Sequence, residues 1–174
     1  MRRGVLAIAL AGAAIGLSAC RAPAPTVSMF SGKTTIDLRP LQYCAQPTAC
    51  SQNGAAAGRL DVRQGQPVQI SVAGEIADAP WQVEYRMLDD QHHLSVGCSP
   101  LFFPNDKHYS FTVPPSSGTN HLIMVNVYEV GTLATASAHG SLTLFGKGTW
   151  TALTAPDVPL PKPGENLCNA PGKT

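Results

Sequence analysis

The fold is decided by the stretch Trp81-Gln82-Val83-Glu84-Tyr85-Arg86-Met87. Its apolar and polar residues alternate with a period of two, which is typical of a β-strand that buries one face. We expect the apolar face, which begins with Trp81, to be buried in a core. We expect the polar face of Gln82, Glu84 and Arg86 to lie in solvent.

Similar stretches lie on both sides of this strand and are separated by turn residues. Val68–Val72 alternates in the same way, and His121–Val130 places Ile123, Val125 and Val127 on one face. Strand character also extends over Val27–Phe30, Lys33–Arg39, Leu60–Val62, Lys107–Val113, Leu133–Leu144 and Thr149–Leu153. We therefore expect an all-β chain, an antiparallel, immunoglobulin-like β-sandwich of about seven or eight strands over residues 27–154. A small barrel is the alternative.

Glycines and prolines predict where the strands end. We expect turns at Gly131-Thr132 and Gly146–Gly148, and a bulge near His139-Gly140. From Ala155 onward the chain is rich in proline, which removes backbone donors and excludes a helix or a central strand. Residues 155–174 are thus predicted to form a Pro-rich tail.

The N-terminal residues 1–19 have the pattern of a signal peptide. Arg2 and Arg3 precede the apolar run Val5–Leu17, which has 13 residues. At roughly 1.5 Å per residue a helix of this length is about 20 Å long, too short for a hydrocarbon core of about 30 Å. The run ends in Leu17-Ser18-Ala19-Cys20, which resembles the lipobox of bacterial lipoproteins.

This resemblance predicts cleavage before Cys20 and acylation of that cysteine, with chains such as palmitate. Acyl chains contribute about 0.8 kcal/mol per buried CH₂, and two or more anchor a protein stably. Residues 20–26 would then be the lipidated cysteine and a short stiff linker. We expect a domain held at the outer face of the cell membrane; a secretory signal that is cut without lipidation is the alternative.

The charges limit the partners. Of the 12 Lys and Arg, Arg2 and Arg3 fall in the signal, which leaves 10 against 11 Asp and Glu. The basic residues are scattered, so we expect no nucleic-acid partner and no polybasic lipid-binding patch. The length fits one domain, which we expect to be a monomer.

The cysteines predict disulfides. If Cys20 is acylated, an even number remains: Cys44, Cys50, Cys98 and Cys168. In an oxidising compartment this indicates two disulfides, and four cysteines allow three pairings. We expect Cys44–Cys50 and Cys98–Cys168, the second of which would tie the tail to the domain. A zinc site is the competing hypothesis, but the C-x-x-C spacing is missing.

A family resemblance is carried by a series of short motifs. They are Tyr43-Cys44 with Cys50, Leu60-Asp61-Val62-Arg63-Gln64-Gly65, Val68-Gln69-Ile70-Ser71-Val72, Ile76-Ala77-Asp78-Ala79-Pro80-Trp81 and Val83-Glu84-Tyr85-Arg86. The series resembles an actinobacterial lipoprotein family catalogued as domain of unknown function 2771, over about Thr26 to Leu144. The resemblance implies a lipid-anchored, all-β protein of the cell envelope and implies no activity.

Two chemical alternatives have weak signals. Ser95-Val96-Gly97-Cys98 matches part of the nucleophile motif of L,D-transpeptidases, with His92 and His93 nearby, but Ser99-Pro100 follows where that family has Arg or Asn. Five histidines could hold copper or zinc: His92, His93, His108, His121 and His139. The His-x-His pattern of β-sheet metal sites is missing, so we expect no metal and no cofactor.

One loop is a candidate contact. Leu101, Phe102 and Phe103 are consecutive and lie between two prolines, so they either cap the core or present an exposed surface to a partner. The sequence thus predicts a non-catalytic binding or structural module of the envelope. Its partner would be an envelope protein or a cell-wall ligand. A cell-wall cysteine enzyme using Cys98, or an envelope metal-binding protein, is the alternative.

Overall fold

A computed structural model describes residues 23–46, 49–136 and 142–169 of the chain. These residues form a sandwich of two β-sheets. The four-stranded sheet has the order β2-β1-β6-β9. Its strands are β1 (Val27–Ser31), β2 (Thr34–Leu38), β6 (Val68–Val72) and β9 (Ser110–Val113). All neighbours in it are antiparallel.

The seven-stranded sheet has the order β4-β3-β11-β10-β7-β8, and β5 pairs with β11 in parallel. Its strands are β3 (Gln42–Gln46), β4 (Ala49–Gln52), β5 (Gly58–Arg59), β7 (Trp81–Leu88), β8 (Leu94–Cys98), β10 (His121–Ala136) and β11 (Leu142–Leu153). The short helical pieces are α1 (Gly74–Ala77) and the 3-10 turns Gly54–Ala56, Pro104–Asp106 and Leu167–Asn169. Among the described residues, no helix is both long and apolar enough to cross a membrane.

The all-β sandwich is confirmed, with more strands than the seven or eight expected. The additional strands are short or polar: β4 is exposed along its whole length, and β5 has two residues. Period-two patterns detect strands with one buried face, so these edge strands give no signal. The immunoglobulin-like subclass stays a prediction.

The core lies between the facing sheets. Trp81 of β7 and Trp150 of β11 are its largest fully buried side chains. Each indole nitrogen donates to a backbone carbonyl, Trp81 to His108 at 3.1 Å and Trp150 to Pro25 at 3.0 Å. The core therefore fixes both the loop before β9 and the segment that leads into β1.

Two predicted turns are wrong. β10 continues through Gly131 and β11 through Gly146–Gly148, with register shifts after Glu129 and Val130. Gly148 serves packing, because a Cβ there would collide with the Trp150 ring. The long strand predicted over Leu133–Leu144 is therefore two strands, and the bulge predicted near His139-Gly140 lies outside the described residues. Leu60–Val62 is also not a strand, although Leu60 is buried.

One end of the sandwich, which we call the linker end, receives the chain from residues 23–26. There the Ala73 amide donates to the Thr26 carbonyl at 3.4 Å and the Val72 amide donates to the Tyr109 carbonyl at 2.9 Å. Trp81, the first residue of β7, pairs with Phe102 at the same end. Helix α1 and the loop 99–109 are thus neighbours of the N-terminal segment.

Candidate functional site

The outer face of the seven-stranded sheet carries polar side chains in rows. One row crosses five strands from β4 to β7 and consists of Gln52, Gln42, Thr149, Tyr128 and Gln82. The adjacent row consists of Thr151, Asn126 and Glu84. Outer faces of antiparallel sheets are commonly polar because they meet water. This face does not meet water over most of its area.

The face is covered by the C-terminal segment Leu160–Cys168, which we call the strap. Tyr128 Oη donates to the Glu165 carbonyl at 2.6 Å, and the Leu167 amide donates to Glu84 Oε2 at 2.7 Å. The strap ends in a disulfide between Cys98 of β8 and Cys168. The strap therefore crosses the strands as an irregular segment with its own hydrogen bonds to the sheet.

Beneath the strap, Glu84 is the centre of a buried network. It accepts hydrogen bonds from Arg86 Nε at 2.6 Å, Asn126 Nδ2 at 3.1 Å and the Leu167 amide, and Tyr128 Oη, whose proton is donated to the Glu165 carbonyl, lies 3.4 Å away. A buried carboxylate is tolerated when charge and hydrogen bonds compensate the loss of water. Sheet and strap supply these partners together, so they are coupled through one side chain.

The charges around Glu84 shift its neighbours. Burial acts to lower the pKa of Arg86, but its hydrogen bond and ion pair with Glu84 outweigh burial and raise that pKa. Burial, together with the Glu84 carboxylate, raises the pKa of Tyr128. Arg86 Nη2 also pairs with Glu165 Oε1 at 2.9 Å. Arg86 thus stays charged and Tyr128 stays a neutral hydrogen-bond donor.

The prediction that the polar face of β7 lies in solvent is wrong. Gln82 is 8% exposed, Glu84 0% and Arg86 9%. The period-two pattern identified the two faces correctly, but it carries no information about a distant segment that covers one of them. Cys168, after the prolines of the tail, was the signal for this cover.

A cleft of about 190 Å³ opens where the strap begins, between it and the first row. The sheet side includes Gln42, Gln52 and Thr149, and the strap contributes residues 160–164. Gln42 Oε1 is buried and has no hydrogen-bond partner among the described residues. Two amides, a hydroxyl, the ammonium group of Lys162 and apolar proline rings suit a ligand with hydrogen-bonding groups.

Both expected disulfides form. Cys44 bonds to Cys50 across the β3–β4 hairpin, and Cys98 bonds to Cys168. The sulfur of Cys98 is therefore not a free thiolate, which the cysteine-enzyme hypothesis requires. His92 and His93 lie in the turn before β8, whereas Cys98 is the last residue of that strand. The structure does not bring these residues together. Cys20 lies outside the described residues.

Two of the described histidines, His93 and His121, lie beside different aspartates. His93 Nδ1 lies 3.1 Å from Asp89 Oδ2, and His121 Nε2 lies 3.1 Å from Asp90 Oδ1. The His93 amide donates to Asp89 and lowers the pKa of that carboxyl group. Within the described ranges, no group of three or more His, Cys, Asp or Glu is placed to hold a metal ion. His139 lies outside those ranges.

The loop Leu101–Phe103 divides between the two expected roles. Phe102 is 8% exposed and packs on Trp81 with 4.7 Å between ring centroids, so it caps the core. Phe103 is 51% exposed. Consecutive residues in extended backbone point in opposite directions, which explains the division.

A second buried carboxylate was missed in the sequence. Glu129 Oε1 pairs with Lys147 Nζ at 2.6 Å, while Glu129 Oε2 has no hydrogen-bond partner among the described residues. Burial raises the pKa of Glu129. The alternation of residues in β10 indicates this burial, because Glu129 lies on the same inward-facing side of the strand as Val125 and Val127.

These features define the class of the protein: a disulfide-stabilised β-sandwich whose polar sheet face is covered by a C-terminal strap. Residues 21–152 match the family described as protein of unknown function (DUF2771), and the chain belongs to that family. The matched residues include Cys44, Cys50 and Cys98 and stop before the strap. No curated protein sequence and no solved structure shows significant similarity to this chain.

Proposed function

We propose that this protein is a lipid-anchored, non-catalytic binding module on the outer face of an actinobacterial cell membrane. The observation that supports it best is the pairing of the cysteines. Of the five cysteines, four form two disulfides, and the remaining one is Cys20 in the lipobox-like motif. Disulfides are typical of oxidising compartments, and the motif provides a means of attachment there.

The use of the reactive groups supports a role without catalysis. Cys98 is held in a disulfide, and Glu84 accepts hydrogen bonds from Arg86, Asn126 and the Leu167 amide beneath the strap. Groups held in this way stabilise the fold and are not presented to a substrate. The proposal therefore invokes no cofactor, no metal and no covalent step, and it treats the protein as a monomer.

The cleft supports a binding role. Its amides, its hydroxyl, the ammonium group of Lys162 and the buried Gln42 Oε1, which has no hydrogen-bond partner among the described residues, are suited to a hydrogen-bonding segment of an envelope protein or a cell-wall component. The strap forms one wall, so the disulfide that fixes the strap also fixes the shape of the cleft.

The anchor is tested by replacing Cys20. Membrane and soluble fractions of cells that produce the full chain are compared for Cys20→Ser, for Ser18→Ala and for the unchanged protein, with palmitate labelling as a second readout. Ser18→Ala is the matched control, because it keeps a small residue before the cysteine. We expect labelling to be lost in Cys20→Ser alone. Equal labelling of all three proteins would contradict the anchor.

The binding role is tested by cross-linking in cells. A photoactivatable amino acid replaces Gln52 at the cleft or, as the matched control, Gln69, which is exposed on the outer face of the other sheet. We expect a discrete adduct from position 52 and none from position 69. If neither position, or both equally, gives adducts, the cleft is not a specific binding site.

A further inference from the structure

The linker end of the sandwich carries exposed aromatic side chains. Phe103 is 51% exposed and Tyr109 is 49% exposed. Tyr109 is joined to Val72 by a backbone hydrogen bond, and Val72 is the register partner of Val27, the first residue of β1. The aromatic pair therefore lies beside the point where the chain enters the domain.

Phe103 is held in place by local structure. Its amide donates to Asp106 Oδ2 at 2.9 Å, and the 3-10 turn Pro104–Asp106 follows it directly. The preceding residue, Phe102, is anchored against Trp81 in the core. An exposed aromatic ring on a fixed loop loses little conformational entropy when it meets a surface.

The length of the linker decides which surface this end meets. From Cys20 to Thr26 the chain has six peptide units, which in an extended Pro-rich conformation span about 19 Å at ~3.1 Å per residue. A domain whose attachment point is that close to the bilayer presents its linker end to it. Trp and Tyr are enriched at the level of the lipid headgroups, and Phe is among the side chains that membrane-surface helices bury at the boundary with the acyl chains.

We propose that Phe103 and Tyr109 dock the domain on the lipid surface and set its orientation, a proposal that rests on the acylation of Cys20. The exposed charges at this end include Glu75, Asp78 and Lys107, which are of mixed sign. The contact is therefore apolar and not electrostatic. This contact is weak by itself. It nevertheless forms, because the short tether holds the two aromatic rings near the lipid surface at an effective concentration in the millimolar range.

The test places a fluorescent reporter at the proposed contact. Phe103→Trp and Tyr109→Trp are made separately in the full lipidated protein, with Phe30→Trp as the matched control. Phe30 is 43% exposed and lies in β1, on the outer face of the four-stranded sheet. Each protein is reconstituted in phosphatidylcholine vesicles with or without brominated acyl chains. The two native tryptophans are buried and give a common background.

We expect bromine to quench the added emission of Phe103→Trp and Tyr109→Trp by about half, and that of Phe30→Trp by less than about a tenth, because bromine on acyl chains reaches only a ring at the bilayer interface. Equal quenching at all three positions, or none, in protein that floats with the vesicles would overturn the docking and leave the anchor standing. Protein that does not float would overturn the anchor, and the docking with it.

Discussion

Replacing Glu84 with Gln tests the account of the strap-covered face. The amide has the shape of the carboxylate, so the change removes a charge without creating a cavity. Among the described residues, Arg86, which is 9% exposed, then keeps only Glu165 as a charged partner. Removing one member of a buried ion pair lowers the free energy of unfolding by about 3–5 kcal/mol. Because Arg86 keeps Glu165 as a partner, we expect a loss at the lower end of that range, about 3 kcal/mol. That is a large share of a typical stability of about 5–15 kcal/mol.

The assay is urea and thermal unfolding of the purified protein, followed by circular dichroism. For a domain of this size, a loss of about 3 kcal/mol lowers the Tm by about 6–12 °C. Hydrogen exchange at the Leu167 amide should also become faster, because its acceptor carries less charge. Glu75→Gln, at an exposed position of α1, is the control and should change stability by less than about 0.5 kcal/mol.

A double variant separates the charge from the shape. Glu84→Leu with Arg86→Met replaces the pair by apolar side chains, and such replacements are often neutral or stabilising. We expect the double variant to be more stable than Glu84→Leu alone. The reasoning is refuted if Glu84→Gln costs less than about 1 kcal/mol, or if the double variant is no more stable than the single one.

The remaining predictions concern the disulfides and two further carboxylates. Replacing Cys98 and Cys168 by alanines should lower the free energy of unfolding by up to about 4.4 kcal/mol in the chain-entropy model, and replacing Cys44 and Cys50 by about 2.4 kcal/mol. The difference arises because the first disulfide closes a longer loop. A larger loss in thermal unfolding for the Cys44–Cys50 variant would contradict this order. Burial raises the pKa of Glu129 above its ordinary 4.5, so above that pH the carboxyl group ionises more readily in the unfolded chain than in the folded one. The native protein should therefore lose stability relative to Glu129→Gln as pH rises above 4.5. A difference in unfolding free energy that does not change with pH would refute this prediction. Hydrogen bonds from the Lys162 amide and, next, from Arg86 lower the pKa of Glu165 below its ordinary 4.5. Glu165→Gln should therefore be less stable than the native protein at neutral pH, and this difference in the free energy of unfolding should vanish as pH falls through the lowered pKa. Urea titrations at each pH measure it.

The sequence predicted which face of a strand points into the core better than it predicted which other segments of the chain cover the opposite face. The alternation of residues 81–87 located β7 and its inner face, because that pattern depends only on neighbouring residues. Burial of Glu84 depends on the strap, whose contacts lie about 80 residues away in the chain, and no local pattern reports such a contact. Gly131 and Gly148 were interpreted as turn residues, although they lie within long strands that contain register shifts and a tight packing contact.

The candidate site was predictable in part for the same reason. Cysteine parity predicted the number of disulfides, and the favoured one of the three possible pairings, with Cys168 tying the tail, is the one that forms. The place where the tail crosses the sheet is set by hydrogen bonds from Tyr128 and Leu167, which have no sequence signature. The cleft follows from that crossing, so only the folded chain reveals it.

The intact mass of the protein purified from membranes, measured after alkylation with and without prior reduction, tests most directly whether the protein is acylated and holds two disulfides. We expect a chain that begins at Cys20, carries acyl groups there, and takes up alkyl groups at Cys44, Cys50, Cys98 and Cys168 only after reduction. An unacylated Cys20, or alkylation of Cys98 before reduction, would contradict this expectation.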